Sequence, residues 1–267
     1  MTFDLEKYVP AEVLSGKQRH TYPIQIIRTD DRLVLEYTTT VHNGAGPVGR
    51  RIYSHVLPRR ISATPESFGI IGLLQGEMSK TVRRSLTFAN SEASIMKRVL
   101  DWFEHEGLLD RHRWHWYIKL NVPDASYHAG DLLENLTEYW CNQTGIERGM
   151  RNPTPLSYVP DSTRRELLNR GTLMIEGGGP LLIQTVQNFV REVTRVVANY
   201  PEDALAGYMR GVIAADGCIN YRLASHHRRV FICAVKAEER ASYRRALEAL
   251  GVGSSSEREY QVGHHLW

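Results

Sequence analysis

Two acidic residues occupy equivalent places in two short, apolar and glycine-containing stretches of the sequence. Glu77 is the eighth residue of the stretch Ile70–Met78, and Asp216 is the eighth residue of Met209–Gly217. Small residues fill the third and seventh positions of both stretches: Gly72, Gly76, Gly211 and Ala215. Because a spacing of four places two residues on one face of a helix, we expect two helices that approach closely through these small faces. Such packing would bring the two carboxylates together at one end.

Adjacent carboxylates repel each other as bare charges, but together they offer the hard oxygen ligands that Mg²⁺ prefers. A metal held in this way can activate water and stabilise a leaving oxygen, which is the chemistry of phosphodiester cleavage. Simpler interpretations exist for each part. A helix with two small residues often serves only core packing, and Asp216-Gly217 alone is typical of a turn.

A second pattern, an alternation of polar and apolar residues, indicates a surface that binds a partner. The segment Arg111–Val122 alternates with the period of two that is typical of a strand. The alternation predicts one polar and largely basic face, which consists of Arg111, Arg113, His115, Tyr117 and Lys119. The opposite face is mostly aromatic and aliphatic and contains His112, Trp114, Trp116, Ile118 and Leu120. A basic sheet face suits groove binding to a DNA duplex, although a solvated sheet face is the common alternative.

The preceding segment Thr81–Phe88 agrees in part with this pattern. Its polar positions are Thr81, Arg83, Ser85 and Thr87, while Arg84 lies on the opposite side. We therefore expect Arg83, Ser85 and Thr87 to extend the DNA-contacting face.

The elements that would position these residues recur along the chain, which indicates an internal repeat. The first copy is predicted as helix, strand, helix and strand over Phe68–Ser79, Thr81–Phe88, Glu92–Glu106 and Arg111–Val122. The second is predicted over Leu205–Asp216, 218–223, 230–235 and Glu238–Leu250 in the order helix, strand, strand, helix, with a further strand at Arg258–Val262. Between them we expect a helix from Gly130 to Cys141, a strand near Thr172–Glu176 and a long helix from Pro180 to about Asn199. Asp203 is the predicted N-cap of the second motif helix.

The paired motifs and this order of elements resemble the LAGLIDADG homing endonucleases of the single-chain, two-motif type. The resemblance implies an α+β fold with two pseudo-symmetric αββαββα domains, whose curved antiparallel sheets bind DNA. It divides the chain into a β-rich extension over 1–65, a first domain over 66–199 and a second, short or truncated domain over 200–267. It also implies that the last acid of each motif, Glu77 and Asp216, binds the catalytic metals.

Further expectations come with this resemblance. They include Mg²⁺ as cofactor (with Ca²⁺ or Mn²⁺ as substitutes), double-stranded DNA as partner, a monomer with internal pseudo-twofold symmetry, and a role in intron or intein mobility. Basic residues near the metals would be Lys80 and Lys236, and Arg222 would contact DNA from the second domain. Many members carry a lysine before the last helix of a domain, where this chain has Gly177–Pro180. An intron maturase or a transcription regulator on the same scaffold, binding without cleavage, is the alternative.

Composition sets the remaining limits. The 267 residues carry a net charge of +3, and 27 of the 33 basic residues are arginine, which favours phosphate binding unless it reflects a GC-rich genome. Three cysteines without a C-x-x-C pair favour a reducing compartment. With neither a signal peptide nor a long apolar span in the sequence, we expect an intracellular protein without membrane contact.

Two other motifs do not predict a ligand site. The pairs His226-His227 and His264-His265 lack a third ligand at metal spacing, and Gly177–Gly179 lacks the Lys-Ser/Thr of a phosphate loop.

Overall fold

The computed structural model describes residues 1–15, 20–43, 46–78, 85–122, 130–150, 156–158, 171–222, 227–234 and 237–252. Across these residues the chain has a mixed α+β architecture of helices and several small, mostly antiparallel sheets. None of the helices in this part of the chain has the length and apolar character needed to span a membrane.

The N-terminal segment is built from short strands around one long hairpin. These strands are β1 (Thr2–Asp4), β2 (Glu12–Ser15), β3 (His20–Pro23), β4 (Gln25–Arg28), β5 (Arg32–Asn43), β6 (Gly46–Pro58) and β7 (Arg60–Ser62). They pair as β1–β7, β2–β3 and β4–β5–β6, all antiparallel. Strands β5 and β6 form the long hairpin, because they pair antiparallel from Arg32 with Pro58 to Asn43 with Gly46.

The next region contains the first motif helix and a four-stranded sheet. Its elements are α1 (Pro65–Glu77), β8 (Leu86–Asn90), α2 (Ala93–His105), β9 (His115–Val122), α3 (Gly130–Thr144), β10 (Leu156–Tyr158), β11 (Thr172–Gly177) and α4 (Pro180–Arg195). Helix α1 begins at Pro65, three residues before the predicted start, because the side chain of Thr64 accepts a hydrogen bond from the Ser67 amide at 3.2 Å and Pro65 occupies the first turn.

The four-stranded sheet has the order β10–β9–β11–β8, in which β10 runs parallel to β9 and the other pairs are antiparallel. Phe88, Ile175 and Trp116 lie side by side across three of its strands and are fully buried. One face of this sheet therefore belongs to the hydrophobic core, and the other face carries the polar positions of β9.

The second motif helix, α5 (Glu202–Asp216), leads directly into the hairpin of β12 (Gly217–Arg222) and β13 (His227–Ile232), which α6 (Ala237–Ala249) follows. The helix begins at Glu202 with Pro201 as its N-cap. Asp203 as N-cap was therefore a wrong prediction, because Asp203 already lies inside the first turn. The strand predicted at Arg258–Val262 lies outside the described residues.

One strand prediction needs correction at its start. Arg111–Arg113 form a 3-10 turn, and strand β9 begins only at His115. The alternation is correct within the strand, since Trp116, Ile118 and Leu120 are buried while His115 and Lys119 are exposed. The turn rotates Arg111 away from the strand's polar face, so the regular pattern does not extend to that residue.

Candidate functional site

Helices α1 and α5 cross at their glycines, with backbone against backbone. Gly72 and Gly211 are both buried at this crossing. A methyl group on Gly211 would lie 1.9 Å from the carbonyl oxygen of Gly69, and one on Gly72 would lie 2.3 Å from the carbonyl oxygen of Tyr208. Gly207 makes a similar approach, since its methyl group would lie 2.2 Å from the Pro65 carbonyl oxygen. Only glycine permits the backbones of α1 and α5 to come this close together.

The close approach continues to the carboxyl ends of the two helices. There Gly76 faces Ala215 and Asp216, and a methyl group on Gly76 would lie 2.5 Å from the Ala215 Cβ and 2.7 Å from the Asp216 Oδ2. Glu77 is the next residue of α1 and its last. The small residues at the seventh motif positions thus allow the Asp216 carboxylate to lie against the last turn of α1.

The two carboxylates interact electrostatically. Burial and the negative charge of Asp216 together raise the pKa of Glu77 to about 7, with burial the larger cause. The Asn90 amide nitrogen donates a hydrogen bond of 3.2 Å to the Glu77 Oε1 and opposes this rise in pKa. Glu77 is therefore held near Asp216 at a cost in charge repulsion, and a cation between the two would relieve that repulsion.

Sequence patterns missed several residues that position these acids. Asn90 is one, because a single asparagine at the end of a strand follows no period. Its Oδ1 also accepts a hydrogen bond from the Glu92 amide at 2.8 Å, which fixes the side chain. Gln75 accepts a hydrogen bond from the Tyr208 hydroxyl and so joins α1 to α5. Tyr243 of α6 lies near the site, since burial and then the Asp216 charge raise its pKa.

The residues at this site fit a hard divalent cation such as Mg²⁺. Two carboxylates supply oxygen ligands, and their mutual repulsion in a half-buried setting favours a bound positive charge. Within the described ranges there is no cluster of three or more His, Cys, Asp or Glu side chains placed to hold a metal ion. In this part of the chain Glu77 and Asp216 would be the ligands, and Mg²⁺ is commonly bound by one or two carboxylates together with several waters. Lys80 and Lys236 lie outside the described residues.

The Glu77 pKa predicts a pH-dependent stability. Because the pKa is raised from 4.5 to about 7, the folded protein binds a proton that the unfolded chain releases across this window. In EDTA, the stabilisation from that proton is complete below pH 4.5 and is lost as the pH rises through about 7. We expect Glu77→Gln to gain about 1–3 kcal/mol of unfolding free energy over wild type between pH 4.5 and 8.

Urea unfolding of both proteins across this pH range would measure the difference. Glu202→Gln, which changes an exposed acid in the first turn of α5, serves as the control and should retain the wild-type pH dependence. Parallel curves for wild type and Glu77→Gln would show that Glu77 does not titrate in this window.

The outer face of the sheet presents the predicted basic set only in part. His115 and Lys119 are exposed and Tyr117 is half-buried on β9, while Arg113 is exposed in the preceding turn. Ser85, just before β8, is half-buried. Arg222 is the last residue of β12 and pairs with His227 across the hairpin, and Arg83 lies outside the described residues.

Two predicted contact residues are not available on that face. Arg111 forms ion pairs with Asp101 and Glu104 and donates to the Thr144 carbonyl oxygen, so only 16% of its side chain is exposed. It ties the turn to α2 and α3 instead of facing a ligand. Thr87 points to the outer side of the sheet but is buried. The predicted exposure of these two side chains on the polar face was therefore wrong.

The outer face also holds an acid that the alternation of β9 alone could not show. Glu176 of β11 pairs directly with His115. Together with Ser85, His112, Arg113 and Gly177 they line an open cleft of about 590 Å³. Gly178, which also lines this cleft, takes a positive φ of 69° directly after β11, and Pro180 starts α4, so Gly178 and Gly179 connect the strand to the helix.

Comparison with known proteins adds no assignment. No protein-family model, curated protein or solved structure matches this chain. Function must therefore be inferred from the paired carboxylates and the exposed basic side chains.

Proposed function

We propose that this protein is a sequence-specific, Mg²⁺-dependent endonuclease that cleaves double-stranded DNA, with a LAGLIDADG-like core. The observation that supports this proposal most directly is the pairing of Glu77 and Asp216 at the ends of two helices that cross through glycines. Core packing alone would not require an acid at both helix ends, because burying two interacting carboxylates is unfavourable. The exposed basic residues of β9 and its preceding turn support a polyanionic substrate.

In this proposal Glu77 and Asp216 hold the metal ions, and each mainly serves one DNA strand. A bound Mg²⁺ would lower the pKa of a coordinated water and stabilise charge on the phosphate and the leaving oxygen. Asn90 restricts the Glu77 carboxylate through its hydrogen bond to Oε1. Glu77 must lose its proton to act as a ligand, and its raised pKa makes that step sensitive to pH near neutrality.

We also propose a division of the chain into two pseudo-symmetric domains. Residues 66–199 and 200–267 would form two pseudo-symmetric domains, each with one motif helix and one DNA-binding sheet, and the protein would act as a monomer on a long site. Each region has a motif helix that is followed by strand and then by a second helix, with the one strand β8 in the first region and the hairpin β12–β13 in the second, and this likeness supports the division.

A second candidate function is DNA or RNA binding without cleavage, as in an intron maturase or a transcription regulator. One observation favours it: the junction before α4, where many family members carry a lysine, is Gly177–Gly179. Without that lysine, a basic group near the metals would have to come from another part of the chain.

Selection from a library of random duplexes tests the proposal. Wild-type protein with Mg²⁺ is expected to yield a small set of related, double-strand-cleaved sequences, and the same incubation in EDTA is expected to yield none. Library members that are retained by the protein but never nicked, with either Mg²⁺ or Mn²⁺, would make the non-cleaving binder the better assignment.

A further inference from the structure

The long hairpin of the N-terminal segment extends beyond the sheet from which it starts. Strand β4 pairs with β5 only from Leu33 to Glu36, whereas β5 and β6 continue to pair as far as Asn43 and Gly46. We call residues 38–43 and 46–54 the β arm. At its base Leu33, Leu35 and Leu57 are buried. Among the described residues, no third strand pairs with the arm, which is a two-stranded ribbon.

Side chains on both faces of the β arm are exposed. Thr40, Arg50 and Ile52 lie on one face, and Val41 and Arg51 lie on the other. The exposed fraction reaches 65% at Ile52. A ribbon that buries neither face gains little from its own packing, since an isolated two-stranded hairpin is marginally stable in water. Such an arm is typical of a segment that binds a partner.

The charge of the β arm indicates a polyanion as that partner. The sequence from Tyr37 to Pro65 contains no Asp or Glu, although it contains four arginines. Arg28 and Arg32, near the base of the same sheet, form ion pairs with Glu6 and Asp31. Arg50 and Arg51 instead lie in the acid-free stretch.

Aromatic stacking organises one of these arginines. The Arg51 guanidinium lies over the Tyr53 ring at 5.0 Å from its centroid, and the Tyr53 ring stacks on Tyr37 with centroids 5.0 Å apart and an interplanar angle of 9°. Tyr37 is buried and therefore anchors the stack. Stacking restricts the guanidinium while its N–H groups stay at the edge, where they can donate to phosphate oxygens or a guanine edge.

The β arm starts beside the basic end of the four-stranded sheet. His55, next to the arm on β6, is buried and hydrogen-bonds the backbone of Leu108. Arg113 is close enough to His55 that its charge contributes, after burial, to a lowered pKa of the imidazole. The base of the arm therefore lies near the exposed Arg113.

We propose that the β arm is a second DNA-binding element, which inserts its two-stranded ribbon into a groove beside the main site and binds phosphates through Arg50 and Arg51. This inference rests on the proposed DNA-binding function and extends the bound site beyond the sheets. The width of the β arm suits the major groove of DNA, because that groove admits a two-stranded β-ribbon. The exposed Ile and Val side chains could contact thymine methyl groups there.

The test compares two matched double variants on a long mixed-sequence duplex without divalent cations. Arg50→Ala/Arg51→Ala removes the arm's charges, and Arg191→Ala/Arg195→Ala removes two exposed arginines from α4. We expect the arm variant to lower the slope of log affinity against log salt by about two units, which weakens binding about 10- to 100-fold near 0.1 M salt. The α4 variant should match wild type, and Arg50→Lys/Arg51→Lys should recover most of the affinity.

The possible failures can be told apart. If wild type binds the duplex but the arm variant binds equally tightly with the same salt slope, the arm is not a DNA contact and the proposed function is unaffected. If wild type binds no duplex at any salt concentration, both proposals are wrong. Sedimentation of wild type and Ile52→Asp completes the test: a dimer that becomes a monomer on this change would assign the arm to self-association and overturn the inference.

Discussion

Asp216→Asn is expected to lower the rate of DNA cleavage about 10³-fold or more while leaving duplex affinity unchanged or slightly improved. Loss of a metal ligand removes several kcal/mol of transition-state stabilisation, and each 1.4 kcal/mol is worth about tenfold in rate. Binding should survive because a carboxylate repels phosphates when no cation intervenes. Glu77→Gln should behave in the same way, since both acids lie at the same helix crossing.

Cleavage and binding must be measured on one cognate duplex, the first in Mg²⁺ and the second in Ca²⁺ and in EDTA. Glu202→Gln is the matched control, because it neutralises an exposed acid at the other end of α5 and should keep wild-type cleavage. Arg113→Ala is the opposite case, since removal of an exposed basic group should weaken binding. If Asp216→Asn lost binding as fully as Arg113→Ala, Asp216 would have a structural role.

The helix crossing could be predicted from sequence because its determinants are local. Small residues four apart define one helix face, and the same spacing in two stretches indicates that the faces meet. Gly72 and Gly211 lie where this spacing requires. The alternation of β9 is local in the same sense, and within the strand it correctly separates buried from exposed side chains.

The errors in the predicted polar face of β9 concern residues whose environment depends on other elements of the chain. Arg111 fits the alternation, but Asp101, Glu104 and the Thr144 carbonyl draw it into a turn that α2 and α3 hold. Glu176 is distant from His115 in sequence and becomes its neighbour only through the pairing of β11 with β9. Side-chain periodicity within one strand contains no information on either contact.

The long β5–β6 hairpin shows a different limit of prediction from sequence. The turn-forming residues at His42–Pro47 predict a break, and a break is compatible with both a linker and a hairpin. The structure has the hairpin, because the strands on either side pair from Arg32 with Pro58 to Asn43 with Gly46. Strand pairing of this length depends on the register between two segments, which neither segment specifies alone.

Gly211→Leu is expected to destabilise the protein by several kcal/mol, and even Gly211→Ala by about 3 kcal/mol or more. The first carbon of either side chain would lie 1.9 Å from the Gly69 carbonyl oxygen and 3.0 Å from the Leu73 amide nitrogen. Both neighbours are backbone atoms of α1, so no side chain can rotate to make room. The helices must separate, and the separation would also displace Asp216 from Glu77.

Gly130→Ala provides the matched control for this change. Gly130 opens α3, and a methyl group there would meet nothing within 4 Å. Because alanine favours helix formation over glycine, the control should be neutral or stabilise the protein by about 0.5–1 kcal/mol. Equilibrium unfolding of Gly211→Ala, Gly72→Ala and Gly130→Ala measures the three free energies. If Gly211→Ala were as stable as Gly130→Ala, the helices would not be in contact at Gly211, and the juxtaposition of the two carboxylates would lose its structural basis.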